Sequence, residues 1–306
     1  MLKAALILVL IFVLPLSAVF AQEREENMVM SATDSLRQKW NVTLFSIASV
    51  NNMSYGKQAT STRSFDSYNY FGFNNKIDAD TKFSVRIPFI YSSPGQNSYA
   101  ENTPSRLDIQ DVHFAFSKYD LGYIGDVDIS GNVKLYLPTS EYSQNSKLVA
   151  KLRFEAYFEY AIGRFSSINY VIKPDFYWQR QTAFLNTDTP QFNDGAFVRD
   201  PRSTTKQYSF QHYLESVIDV NRYYSVKPRL GFDEDWYYSS DIEQLEGNHV
   251  TRFVAGLGLE MRPMRGLTFT LGVQNQTTLG SYKGKDVVLG APENTQYSLM
   301  TNAFLF

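Results

Sequence analysis

Charged side chains in this chain recur at every second position. Lys151, Arg153, Glu155 and Glu159 do so in one run, with Tyr157 filling the gap. Asp126, Asp128 and Lys134 share a spacing in the run before it. Lys173 and Asp175 repeat the pattern, as do Glu215 and Asp219, Lys227 and Arg229, and Asp233 and Asp235. Arg86, Arg252, Glu260 and Arg262 sit in runs of the same kind, and Tyr177, Tyr213 and Tyr237 are interleaved. In extended backbone a spacing of two places side chains on one face. A face carrying both signs permits two kinds of chemistry. Charges from adjacent strands pair and hold the wall in register, or they line a passage and select what crosses it. Because the signs are mixed, neither an anion nor a cation preference follows from the sequence.

Histidines offer little for catalysis or metal binding. The chain has His113, His212 and His249, far apart in sequence, and no cysteine. His113 shares a face with Asp111, a pair that could respond to protons. One imidazole and one carboxylate do not make a metal site. His212 falls among the apolar positions Phe210, Leu214 and Ile218, with no nucleophile beside it in sequence. That placement reads as a histidine near a membrane boundary before it reads as a catalytic base. No glycine-rich phosphate loop is present. The expectation is no cofactor, no metal and no catalytic set.

The elements that carry these residues are strands. From residue 126 to 137, Val127, Ile129, Val133, Leu135 and Leu137 fall on one face, and Asp126, Asp128, Ser130, Asn132 and Lys134 on the other. From 151 to 162, Leu152, Phe154, Ala156, Phe158, Tyr160 and Ile162 oppose the charged set. Period two means a strand with one apolar and one polar face. In a soluble sandwich the polar face meets water. In a transmembrane barrel the apolar face meets lipid and the polar face lines the lumen.

Other features choose between them. Met1 to Lys3 make a basic start, Ala4 to Leu14 is apolar, and Val19-Phe20-Ala21 fits a cleavage site after Ala21. This is the layout of a secretory signal peptide over residues 1–21. The apolar run is shorter than the roughly 20 residues a helical span needs. Without cysteine there is no lipoprotein anchor and no disulfide. Mean hydropathy is -0.29, too polar for a helical membrane protein. Yet there are 21 Tyr and 23 Phe, the aromatic load expected where rings sit at a water–lipid boundary. The net charge of -2 gives no reason to expect nucleic acid as a partner.

Twelve strands are expected over residues 40–53, 63–75, 81–91, 107–119, 126–137, 150–162, 168–181, 206–220, 224–238, 249–262, 267–279 and 295–306. Each reaches the roughly 9–11 residues of a tilted membrane strand. Short and long connections alternate between them, which is the meander of an up-and-down barrel with turns on the periplasmic side and loops outside. Residues 22–39 precede it as a periplasmic segment, and 40–306 form the barrel. The longest loop, 182–205, holds three Phe with Asp and Arg. It either constricts the mouth or faces outward. Long inward side chains and a barrel of this size imply a narrow path, not a wide pore.

Two resemblances accompany this reading. The segment from Tyr297 to Phe306 resembles the terminal strand of bacterial outer-membrane proteins, which ends in Phe and carries the assembly signal. Asn302 interrupts the face that Phe304 and Phe306 share. The resemblance implies outer-membrane lipid and the barrel-assembly machinery as partners. Gln110-Asp111-Val112, Gly125-Asp126-Val127 and Leu137-Pro138-Thr139 resemble a family of outer-membrane proteins labelled as transporters of the MetA phenol-degradation pathway, with Ser140 where that family has Gly. By contrast, the short His-x-Ser-Asn arrangement of the outer-membrane phospholipase is missing. The functional expectation is an outer-membrane barrel passing a small solute. The alternatives are a lipid-modifying enzyme and a structural or adhesive barrel.

Overall fold

In a computed structural model the chain folds into a closed barrel of twelve antiparallel strands. The structure describes residues 39–51, 66–96, 102–185, 202–238, 249–279 and 294–305. The signal-peptide and periplasmic-segment expectations for 1–38, most of the 182–205 loop, and Phe306 lie outside them.

The strands are β1 Trp40–Asn51, β2 Asp66–Lys76, β3 Thr81–Ser92, β4 His113–Ile124, β5 Val127–Tyr136 and β6 Leu148–Ile162. They continue as β7 Ser166–Gln179, β8 Lys206–Asn221, β9 Tyr224–Tyr237, β10 His249–Met264, β11 Leu267–Leu279 and β12 Thr295–Phe304. Each pairs with its sequence neighbours, and β1 closes the wall on β12 through nine residue pairs from Thr43↔Phe304 to Asn51↔Gln296. Closure pairs each of the twelve strands on both sides, which is what a chain crossing hydrocarbon requires.

Short turns gather at one end. Gly125 and Gly266 take positive φ there, at 61° and 79°, a left-handed backbone that strains any residue with a side chain. Asn221 accepts from the amides of Tyr223 and Tyr224 and shapes the β8–β9 turn. The strand ends joined by the longer connections lie at the other end.

The fourth strand departs from the sequence expectation. A short strand Arg106–Ile109 pairs with the upper part of β3. The chain then breaks at residues 110–112 before β4 begins at His113. β4 runs past residue 119 to Ile124, with a register shift between Lys118 and Gly122.

The wall inverts the burial order of a soluble protein. Phe116, Leu214, Leu230, Leu257 and Leu271 are 47–53% exposed on its outside, whereas Glu155, Asp175, Glu260, Arg86 and His113 are buried inside. Contiguous apolar exposure on this scale marks a surface made for lipid. The fold is therefore a transmembrane β-barrel.

Candidate functional site

The interior is built by cross-strand register. On β5, β6 and β7 the pairs Asn132↔Glu155, Lys134↔Arg153 and Arg153↔Asp175 set opposite charges side by side or on a diagonal. Lys134 Nζ donates to Glu155 at 2.8 Å, and Asn132 and the Tyr157 hydroxyl donate to its other oxygen at 3.2 and 2.8 Å. Arg153 grips Asp175 with two parallel bonds, 2.5 Å from Nε and 2.6 Å from Nη2. The planar fork matches both carboxylate oxygens at once. Tyr177 donates to Asp175 at 3.3 Å.

Two further clusters follow round the wall. Glu260 binds Lys227 and, at 2.8 Å, Arg262, which also reaches Asp219 at 3.2 Å. Asp235 takes Arg252 at 2.7 Å and Lys206 at 2.9 Å, while Gln276 donates to Asp233 at 3.1 Å.

Other cations rest on rings. Lys151 Nζ stands 3.7 Å from the centroid of Tyr136, and Arg86 Cζ 4.9 Å from Tyr70. Arg229 Cζ lies 3.6 Å over Tyr213, and Lys173 Nζ lies 5.2 Å from the same ring. Cations over aromatic faces are held by the ring quadrupole.

Beneath this belt is a chamber of about 260 Å³ lined by eleven of the twelve strands, so it lies on the barrel axis. Glu159, Glu215, Lys227 and Glu260 contribute its charge, with Tyr157, Tyr213 and Lys82. Asp128 stands across from Glu159 at the same end. Asp126 does not belong to the interior. With Gly125 it forms the tight turn between β4 and β5 and is exposed, because the strand ends at Ile124 and the next begins at Val127.

The histidines divide between the two faces. His113 is buried inside, stacked on Tyr136 with centroids 4.4 Å apart. Its Nδ1 faces the backbone oxygen of Asp111 at 3.3 Å, not the carboxylate. That carboxylate accepts instead from Ser140 N at 2.9 Å and Ser143 Oγ at 2.5 Å. The two seize a short helix, α1 Glu141–Asn145, capped by Ser140. Thr139 adds a bond to Gln110 and one from Val112. The Gln110-Asp111-Val112 and Leu137-Pro138-Thr139 segments thus clasp one another, a contact that no spacing within either segment reveals.

His212 is on the outer wall. Its ring stacks between Phe210 and Phe232, and Nδ1 lies 3.3 Å from the Tyr170 hydroxyl. Glu234 stands 3.6 Å from His212 and 3.2 Å from His249, and His249 stacks on Trp236. Strand pairing assembles this cluster from β7, β8, β9 and β10. Among the described residues no group of three His, Asp or Glu side chains is arranged to hold a metal ion.

No protein-family model and no curated protein matches the sequence. Among solved structures the chain is similar to an outer membrane channel from Pseudomonas putida F1. The TM-score is 0.56 at 11% identity, over 90% of this chain and 100% of that one. Weaker likenesses include the translocator domain of the autotransporter NalP from Neisseria meningitidis, with a TM-score of 0.46 at 12% identity over 93% of this chain and 95% of that one. Another is the NanC porin, with a TM-score of 0.44 at 8% identity over 86% of this chain and 98% of that one. At such identities the shared property is the fold.

Proposed function

We propose that the protein resides in the outer membrane and passes a small polar solute along the barrel axis. The observation that carries this is the axial chamber, lined by side chains from nearly every strand and enclosed by a wall that is polar inside and apolar outside. The belt of long side chains above it makes the path narrow. The expected partners are outer-membrane lipid, the solute, and the barrel-assembly machinery acting on β12. Purified protein in planar bilayers should carry a steady single-channel current. Absence of current at any voltage, with the barrel shown to be folded, rejects the reading.

A lipid-modifying enzyme is the second reading, favoured by one observation. Tyr170, His212 and Glu234 place a hydroxyl, an imidazole and a carboxylate in line on the lipid-facing wall. The His249 ring offers no such relay, because Glu234 and Thr251 both approach the same nitrogen, Nε2. Acyl release from phospholipid vesicles, lost in His212→Ala, would establish the enzyme. Equal background in both proteins dismisses it.

A further inference from the structure

We propose that the middle of the lumen holds an anion site, with Arg229 and Lys173 as its donors around Tyr213, and that the solute carries a carboxylate group. This rests on the channel reading and names the chemistry of that same path.

The argument starts from which charges are already matched. Glu155, Asp175, Asp235 and Glu260 each hold one or more bases. Arg229 and Lys173 hold no ion pair among the described residues, and both lie over the ring of Tyr213. Strand register does not force this on Arg229. Its direct cross-strand partner is Glu215, the residue best placed to neutralise it. The guanidinium turns to the ring, Glu215 faces the chamber, and Arg229 Nε is buried with no acceptor.

Gly231 permits that arrangement. It pairs directly with Tyr213, and a Cβ there would stand 2.3 Å from the Tyr213 Cβ. The missing side chain lets the tyrosine lie close to the wall beneath the cation.

A guanidinium whose buried Nε lacks an acceptor loses solvation that a ring face only partly restores. An oxyanion arriving from the lumen supplies the missing acceptor, and a planar carboxylate suits the guanidinium fork. The acids at the chamber, Glu215 and Glu159 on either side of Asn169, then weaken the hold on the ion as it moves towards the turn end. Conduction needs such a pairing of attraction and release.

The test uses the full-length barrel in planar bilayers under a potassium chloride gradient. The wild type should show a reversal potential favouring chloride, and sodium acetate on one side should reduce the chloride current. In the Lys173→Gln/Arg229→Gln double variant the reversal potential should move towards potassium and the acetate block should vanish. Arg229→Lys should keep part of the preference. A wild type that favours potassium, or a double variant with an unchanged reversal potential, overturns the site. Silence in the bilayer rejects the channel reading instead. The site is then decided by melting in detergent: acetate should raise the midpoint of the wild type and leave the double variant unmoved, and equal responses overturn it.

Discussion

Two arcs of the inner wall obey the same pairing rules and end differently. From β5 to β7, Glu155 and Asp175 are each gripped by a base, one through Lys134 and the other through the Arg153 fork. From β8 to β9, Arg229 and Glu215 are directly opposed yet unpaired, because a tyrosine ring takes the guanidinium. The first arc uses charge to fix strand against strand. The second leaves charge available to whatever enters. The sequence poses these roles as alternatives for every inward residue, and the barrel uses both, at times on one strand.

The comparison breaks most readily at Asp175. Asp175→Asn should cost about 3 kcal/mol, because it removes the charge opposite the half-buried Arg153 and leaves one of its two acceptor oxygens. Folding yield into lipid vesicles reads the loss, and a second substitution, Arg153→Met, should recover much of it. A yield equal to wild type for Asp175→Asn would mean that the first arc is not held by its ion pairs.

A control on the opposite face of the same wall comes next. Leu135→Arg places a charge in hydrocarbon and should cost about 2–4 kcal/mol near the midplane. Lys134→Gln, one residue away, keeps a donor for Glu155 beside Asn132 and Tyr157 and should fold in better yield. Equal yields would contradict the assignment of faces.

Gly231→Ala attacks the device that sets the second arc apart. The added methyl meets Tyr213 and the wall behind it, and overpacking of this kind costs roughly 1–3 kcal/mol. A lowered melting point with a shifted reversal potential is expected. If neither moves, Gly231 does not seat the ring.

The smallest effect should come from Glu234→Gln on the outer wall, within about 1 kcal/mol, because that carboxylate is partly exposed and its pairs are long. Unfolding in detergent measures it. A large loss would show that the outer cluster secures β8 to β10 as firmly as the inner pairs secure β5 to β7.

Much of this was legible in the sequence, for a physical reason. The pleat fixes which side of a strand a residue takes, so Val133 and Leu135 could be set against Lys134 without any structure. Asp126 fell on the wrong side of that logic because Gly125 turns the chain before the alternation begins. The break at 110–112 was hidden, since Asp111 is held by a segment that follows β5. The meeting of His212, Glu234 and His249 was equally invisible, because register between strands is a property of pairs and no single strand encodes it. Nor does register settle rotamers: Arg229 is directly opposed by Glu215 and turns to the ring of Tyr213 instead.

The seam between β1 and β12 carries a consequence for how the molecule comes into being. Thr43 pairs with Phe304, so the ends of the meander must meet across nearly its whole length. Contacts between residues so remote in sequence form slowly, whatever their final strength. Until they form, β1 and the growing front of the sheet are open edges, each a template for a stray strand. No ion pair in the described seam strengthens its nine pairs. The interval before closure is thus when the chain most needs protection from its own copies, and a chaperone-poor refolding mixture should lose more material to aggregation as protein concentration rises.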